Sequence, residues 1–209
     1  MEEFTTSFVT TSRYYVLGKR SPQITRIWFA LHGYGQLARY FGQKFAPLVD
    51  ERTLFVFPEG SHKFYLEDVR NHAHSRIGAS WMTRENRLTE IENYCNYLTG
   101  IRKEITRGKN AKLGLFGFSQ GCATAARWLA SGGIEADRLV LWAGVFPKDI
   151  PPDKINKINA TCVYGTEDPW LTSEQLEEIR IQYPACQLIS FRGGHEIDPT
   201  TLPTVMAGN

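Results

Sequence analysis

Apolar residues in this chain follow two rhythms that alternate along its length. Short, nearly continuous apolar runs occur at Ile24–Leu31, Thr53–Phe57, Leu113–Phe118, Arg138–Gly144, Ala160–Gly165 and Cys186–Phe191. Runs of this length predict strands buried on both faces. A weaker pattern over Ser12–Leu17 predicts one more strand, closed by a turn at Ser21-Pro22. Between the runs, apolar positions step by three and four. Tyr40, Phe41, Phe45 and Leu48 predict a helix over Arg39–Val49, with Pro47 disturbing its last turn. Leu88, Ile91, Tyr94, Cys95, Leu98, Ile101 and Ile105 predict a long helix over Arg84–Arg107, with Thr83 as N-cap and Gly108 as terminator. Cys122–Ala130 is rich in helix formers, and Thr172-x-x-Gln175 is a capping box opening a helix to about Gln182. Asp198-Pro199 caps a final short helix, shortened by Pro203. Ser61–Met82 reads as a long irregular stretch and Pro147–Lys157 as a polar loop. Strands alternating with helices give an α/β fold with a mostly parallel central sheet and helices on both faces. No boundary, repeat or low-complexity segment divides the chain, so residues 1–209 are expected to form a single domain.

The bulk numbers exclude several classes. The 209 residues are 42% hydrophobic and 22% charged, which suits a globular core. A net charge of +2 gives no field that would draw nucleic acid. No apolar run reaches the length of a membrane span. The start, Met1-Glu2-Glu3-Phe4, has no basic and apolar leader, so the expected location is cytoplasmic. Cys95, Cys122, Cys162 and Cys186 lack C-x-x-C spacing and read as reduced, buried thiols.

Chemistry is concentrated at Gly117-Phe118-Ser119-Gln120-Gly121. A strand precedes it and a helix follows, the context in which G-x-S-x-G forms a nucleophile elbow. Glycines two positions either side of Ser119 remove side chains that would collide in a strained turn. A serine hydroxyl needs a general base, and the base needs an orienting acid. In parallel sheets such groups gather beyond the C-terminal ends of strands. His195 follows the last strand in a Gly-Gly-His turn, whereas His32, His62, His72 and His74 do not. Asp168 follows the strand before it. Asp137 precedes a strand, Asp149 and Asp153 lie in a proline-rich loop, and Asp198 caps a helix. The order Ser119, Asp168, His195 is that of α/β-hydrolases. The oxyanion hole requires two backbone donors, assigned to the N–H groups of Gln120 and of Tyr34 in His32-Gly33-Tyr34-Gly35. The His32 side chain is expected to brace that loop. His72-x-His74 lacks a companion set of ligands and reads as loop histidines, so no metal is expected. Phe64, Tyr65, Trp81 and Met82 are expected to line an acyl groove.

These residues resemble the phospholipase/carboxylesterase family of α/β-hydrolases, which includes acyl-protein thioesterases and small carboxylesterases. The resemblance rests on His32-Gly33-Tyr34-Gly35, Gly117-Phe118-Ser119-Gln120-Gly121, Gly165-Thr166-Glu167-Asp168 and Gly193-Gly194-His195-Glu196-Ile197, with Trp81 ahead of the long helix. It implies a compact α/β-hydrolase fold without a large cap domain, Ser119 as nucleophile, His195 as base, Asp168 as orienter, and no cofactor. It also implies a small ester or lipid-like acyl substrate, and it is compatible with a homodimer. Three positions depart from the family pattern. Gln36 replaces an aspartate, Cys122 replaces a glycine, and the tail after His195 is short. The reading is a serine carboxylesterase working through an acyl-enzyme. A lysophospholipase or acyl-protein thioesterase would use the same residues. A hydrolase homologue that binds ligand without turnover is the alternative of another class, and it would be expected to lack a triad residue.

Overall fold

The computed structural model describes residues 1–67 and 74–207. Its strands are β1 (Tyr14–Leu17), β2 (Arg26–Leu31), β3 (Thr53–Pro58), β4 (His62–Tyr65), β5 (Ile77–Ser80), β6 (Lys112–Phe118), β7 (Arg138–Trp142), β8 (Asn159–Gly165) and β9 (Gln187–Phe191). Its helices are α1 (Ala38–Gln43), α2 (Arg87–Thr106), α3 (Gln120–Ala130), α4 (Ser173–Gln182) and α5 (Thr201–Ala207). Seven strands form one sheet in the order β1-β3-β2-β6-β7-β8-β9. Only β1, at one edge, runs antiparallel, paired with β3. Among the described residues no helix is long and apolar enough to cross a membrane.

Side chains of a strand point alternately to the two faces of the sheet, and here both faces are dry. In β2, Ile27, Phe29 and Leu31 join one core with Leu98 of α2, Trp128 of α3 and Ile179 of α4. Trp28 and Ala30 join the other, with Phe41 of α1 and Leu202 of α5. The unbroken apolar runs of the central strands are therefore the mark of a sheet covered on both sides.

The chain winds outward from the centre in both directions. From β2 it steps to β3, which pairs with the earlier edge strand β1, then it starts again at β6 and runs to β9. The direction switches between β2 and β6, which pair in register from Arg26↔Lys112 to Leu31↔Gly117. At such a switch point the loops after two neighbouring strands diverge and leave a crevice beyond the C-terminal strand ends. The loop starting at His32 and the turn at Ser119 therefore emerge side by side.

Four expectations need correction. Ser61–Met82 is not wholly irregular, since β4 and β5 form an antiparallel hairpin from His62↔Ser80 to Tyr65↔Ile77. Three of the four β4 residues are exposed, so no buried alternation announces the strand. The long helix starts at Arg87 rather than Arg84. Its N-cap is Asn86 at φ 46°, and the Thr83 hydroxyl instead accepts the Glu85 N–H at 3.1 Å. Leu88 is exposed, and the fully buried face of α2 begins at Tyr94. The helix expected to Val49 ends at Gln43, and Ala46–Leu48 around Pro47 forms a separate 3-10 turn. Pro203 lies in the first turn of α5, where its missing N–H costs nothing, and Asp198 Oδ2 accepts the Thr201 N–H at 2.7 Å. The capping box forms as expected, with Thr172 N–H to Gln175 Oε1 at 2.9 Å and Gln175 N–H to Thr172 Oγ1 at 3.3 Å.

Candidate active site

Strand β6 ends at Phe118, and α3 begins at Gln120, so one residue makes the whole turn. Ser119 sits at φ 52°, ψ −117°, a conformation that costs an L-residue about 1–3 kcal/mol. The surroundings enforce it. A Cβ on Gly121 would lie 2.2 Å from the Leu31 carbonyl oxygen, and one on Gly117 would lie 2.5 Å from that of Gly121. The Ser119 N–H is tied to the Trp142 carbonyl at 2.9 Å. The elbow therefore rests on β2 and β7, and only glycine permits the close packing.

The structure brings Ser119, His195 and Asp168 together. Ser119 Oγ lies 2.9 Å from His195 Nε2, and His195 Nδ1 lies 2.8 Å from Asp168 Oδ2. A carboxylate only accepts, so Nδ1 carries the proton and Nε2 is left to accept from the serine hydroxyl. The Asp168 side chain is fully buried. Its other oxygen, Oδ1, accepts the Trp170 N–H at 2.9 Å, which holds the carboxylate plane. The His195 loop is anchored from below, where Trp142 Nε1 donates to the Glu196 carbonyl at 2.7 Å. Phe118 lies beside the imidazole with ring centroids 5.2 Å apart.

Among the described residues, the backbone N–H groups of Tyr34 and Gln120 have no protein acceptor. Gln120 opens α3, so its N–H sits at the positive end of a helix. The Tyr34 loop is fixed from several sides. Gln36 Oε1 accepts the Gly33 N–H at 2.9 Å. Gly35, at φ 75°, donates to the Ala79 carbonyl at 2.9 Å, and Ala79 N–H returns a bond to Gln36 at 3.2 Å. The β4–β5 hairpin is thus pinned to this loop. Gln36, one of the departures from the family pattern, acts inside the loop itself.

His32 braces the same loop, as the sequence predicts. It is buried and accepts the Gly60 N–H on Nε2 at 2.9 Å, so Nδ1 carries the proton and donates to the Gly33 carbonyl at 2.8 Å. Burial pushes its pKa down to about 4, which keeps the ring neutral. Glu59, whose side chain is buried, accepts the Ala38 N–H at 3.2 Å and Arg13 Nε at 2.7 Å, and so caps α1 directly after the loop.

The four residues expected to line an acyl groove separate. Trp81 is a correction. It is fully buried, with its ring centroid 5.0 Å from that of His32 and its indole N–H donating to the His32 carbonyl at 2.8 Å. It buttresses the loop that carries Tyr34 and presents no surface to a ligand. Met82 is half-buried, packs on the core and accepts Arg127 NH1 on its sulfur at 3.4 Å. Phe64 stacks on the exposed Tyr34 ring at 4.9 Å, and Tyr65 is exposed. His72 lies outside the described residues. Cys122 fills the site of the expected glycine, where its thiol bonds the carbonyls of Gly117 at 3.1 Å and Trp142 at 3.3 Å. Burial raises its pKa, so it stays a protonated thiol.

The Gln120 side chain was not singled out from the sequence. Its amide nitrogen donates to the Met82 carbonyl at 2.9 Å and its oxygen accepts the Trp81 N–H at 3.1 Å. This staples the segment after β5 to the start of α3. No short-range pattern marks such a bond, because its partners lie almost forty residues apart in the chain.

Comparison with known proteins bears on the family and the fold. No curated protein matches the chain in sequence. Solved structures of the same fold include acyl-protein thioesterase 2 of Zea mays, with a TM-score of 0.69 at 16% identity over 94% of this chain and 97% of that one. The esterase PE8 has a TM-score of 0.68 at 21% identity, covering 95% and 97%. A Bacillus cereus carboxylesterase has a TM-score of 0.65 at 13% identity, covering 94% and 92%. At these identities the likeness is one of fold, an α/β-hydrolase fold as the motifs imply. Residues 24–207 match the family described as Serine hydrolase (FSH1), and the chain belongs to that serine hydrolase family.

Proposed function

We propose that this serine hydrolase cleaves carboxylic esters through an acyl-enzyme on Ser119. The observation that carries the reading is the unbroken path from Ser119 Oγ to His195 at 2.9 Å and on to Asp168 at 2.8 Å. His195 Nε2 takes the hydroxyl proton as Oγ attacks the ester carbonyl. The carbonyl electron pair moves to its oxygen, which the N–H groups of Tyr34 and Gln120 receive. As the tetrahedral intermediate collapses, the C–O bond to the alcohol breaks and the alcohol leaves with the proton from Nε2. Water then adds to the acyl-enzyme by the same route and releases the acid. Asp168 keeps the imidazole in the tautomer that accepts at Nε2 and stabilises the imidazolium that forms.

The test is hydrolysis of p-nitrophenyl esters from acetate to palmitate, with thioesters of matched acyl length alongside. Ser119→Ala is expected to remove more than about 10⁴-fold of kcat/KM while the protein stays folded. Activity retained in that variant would sink the mechanism, and faster thioester cleavage would move the substrate class.

A further inference from the structure

Two of the cysteines face each other. Cys162 Sγ and Cys186 Sγ lie 3.3 Å apart in a thiol–thiol hydrogen bond, although 24 positions separate them in the chain. Cys162 lies in β8 and pairs with Leu188 of β9. Cys186 stands two positions before Leu188, so side-chain alternation brings it to the same face of the sheet. Both cysteines pack on the same core.

The two thiols differ in access and in acidity. Cys162 is buried, whereas Cys186 is half-buried. The hydrogen bond from Cys162 holds the Cys186 thiol below its ordinary pKa, and the same bond together with burial raises Cys162. Cys186 is therefore the thiol that ionises and meets a reagent, with Cys162 as the protonated partner behind it. The β8–β9 ladder opens at Thr161↔Gln187, so the backbone of Cys186 lies outside it. To bond, the sulfurs must close from 3.3 Å to about 2.05 Å. A shift of that size at Cys186 breaks no pair of the ladder. The other two cysteines lack these features. Cys122 is buried with its thiol on two carbonyls, and Cys95 is buried.

We propose that Cys162 and Cys186 form a peroxide-reactive dithiol that closes reversibly to a disulfide. The Cys186 thiolate attacks one oxygen of hydrogen peroxide. The O–O bond breaks, hydroxide leaves and takes up the proton that Cys186 released, and Cys186 becomes a sulfenic acid. Cys162 Sγ then attacks the Cys186 sulfur. The S–O bond breaks, and the departing hydroxide takes the Cys162 proton and leaves as water. In sum, two thiols lose two electrons and two protons, and one peroxide becomes two waters. β8 leads to Asp168 and β9 to His195, so the new bond ties together the strands that precede these residues.

The test treats the reduced protein with hydrogen peroxide, blocks the remaining thiols with iodoacetamide and maps a tryptic digest without reduction. The two cysteines fall in separate peptides, Ile158–Arg180 and Ile181–Arg192. A linked species is expected, about 2 Da lighter than the two reduced peptides together. Cys95 and Cys122 are expected to stay free, and dithiothreitol to restore both thiols of the pair. Cys162→Ser removes the second thiol, so dimedone is expected to trap the sulfenic acid on Cys186. Cys186→Ser is expected to slow peroxide oxidation of Cys162 by at least about tenfold. Closure constrains the unfolded chain, so the linked protein is expected to melt above the reduced one. The wild-type map requires no variant to fold. Absence of the linked peptide, a bridge between two chains, or unchanged oxidation of Cys162 in Cys186→Ser overturns the proposal. A linked protein that melts below the reduced one overturns the claim that the pair is placed to close.

Discussion

His32 ties the stability of this protein to pH, and the size of the effect follows from its surroundings. The ring is fully enclosed, accepts the Gly60 N–H and donates to Gly33. A second proton on Nε2 would face an N–H instead of an acceptor, and it would place a charge away from water. Glu59 nearby favours the charged form and Lys63 opposes it, but burial dominates and the folded pKa drops to about 4. In the unfolded chain the imidazole titrates near its ordinary value of about 6.5. Between these values the unfolded state binds more protons, so stability rises with pH across that window. The contribution is complete above about pH 6.5 and falls as pH drops toward 4. Below that both states are protonated and nothing more is lost. A gap of about 2.5 units corresponds to about 3 kcal/mol, of which about 2 kcal/mol is gone by pH 5. The measurement is urea unfolding at pH 7.5 and pH 5 for wild type and His32→Gln. Glutamine offers a carbonyl oxygen to Gly60 but does not titrate. All other titrating groups are shared, so they cancel in the comparison. Wild type is expected to lose about 2 kcal/mol more than the variant between the two pH values. Equal losses would refute the claim that His32 is buried neutral.

Four further outcomes follow, three of them at the site and one in α2. Asp168→Asn keeps the shape of the triad but offers His195 Nδ1 a donor as well as an acceptor, and kcat on a p-nitrophenyl ester is expected to fall by about 10⁴. Gly121→Ala drives a Cβ to 2.2 Å from the Leu31 carbonyl and is expected to cost about 3 kcal/mol in urea unfolding. Gly100→Ala in α2, where a Cβ meets nothing within 4 Å, is expected to stabilise by about 0.5–1 kcal/mol in the same assay. Gln36→Ala strips the Gly33 N–H of its acceptor and is expected to lower kcat by about tenfold or more, while Gln36→Glu, which keeps an acceptor oxygen, retains most activity.

The central sheet was legible because both its faces are dry. A strand such as β6, enclosed by α1 and α5 on one side and α2 and α3 on the other, must be apolar at nearly every position, and such a run stands out. The β4–β5 hairpin lacked that signature. His62, Lys63 and Tyr65 face solvent, and the hairpin is held by its own backbone ladder and by the Ala79 bonds to Gly35 and Gln36. Backbone bonds leave no mark on residue type, so a segment held by them reads as loop. Helix starts failed for a related reason. Thr83 is a good capping residue by type, yet its hydroxyl makes a local turn with Glu85, and Asn86 tolerates the left-handed backbone from which α2 starts.

At the site, the sequence points to residues that stand at the end of a strand. The side-chain roles of Trp81 and Gln120, which act across the fold, leave no such mark. Ser119, Asp168 and His195 each follow a strand, and a parallel sheet aligns those ends by construction. Trp81 was misread because an aromatic in a loop suits a groove wall and a buttress equally well. What separates the two is the His32 carbonyl, 2.8 Å from the indole N–H and forty-nine positions away in the chain. Gln120 presents the same difficulty. Its backbone N–H follows from the elbow motif, whereas its side chain works on Trp81 and Met82. The two halves of the proposed oxyanion hole are thereby joined. Gln120 holds Trp81, Trp81 holds His32, and His32 holds Gly33 beside Tyr34. The first link is part-buried and the other two are buried, so the spacing of the two free N–H groups is set before any substrate arrives. Donors fixed in advance need not reorganise as charge develops on the carbonyl oxygen, which is where electrostatic catalysis gains most.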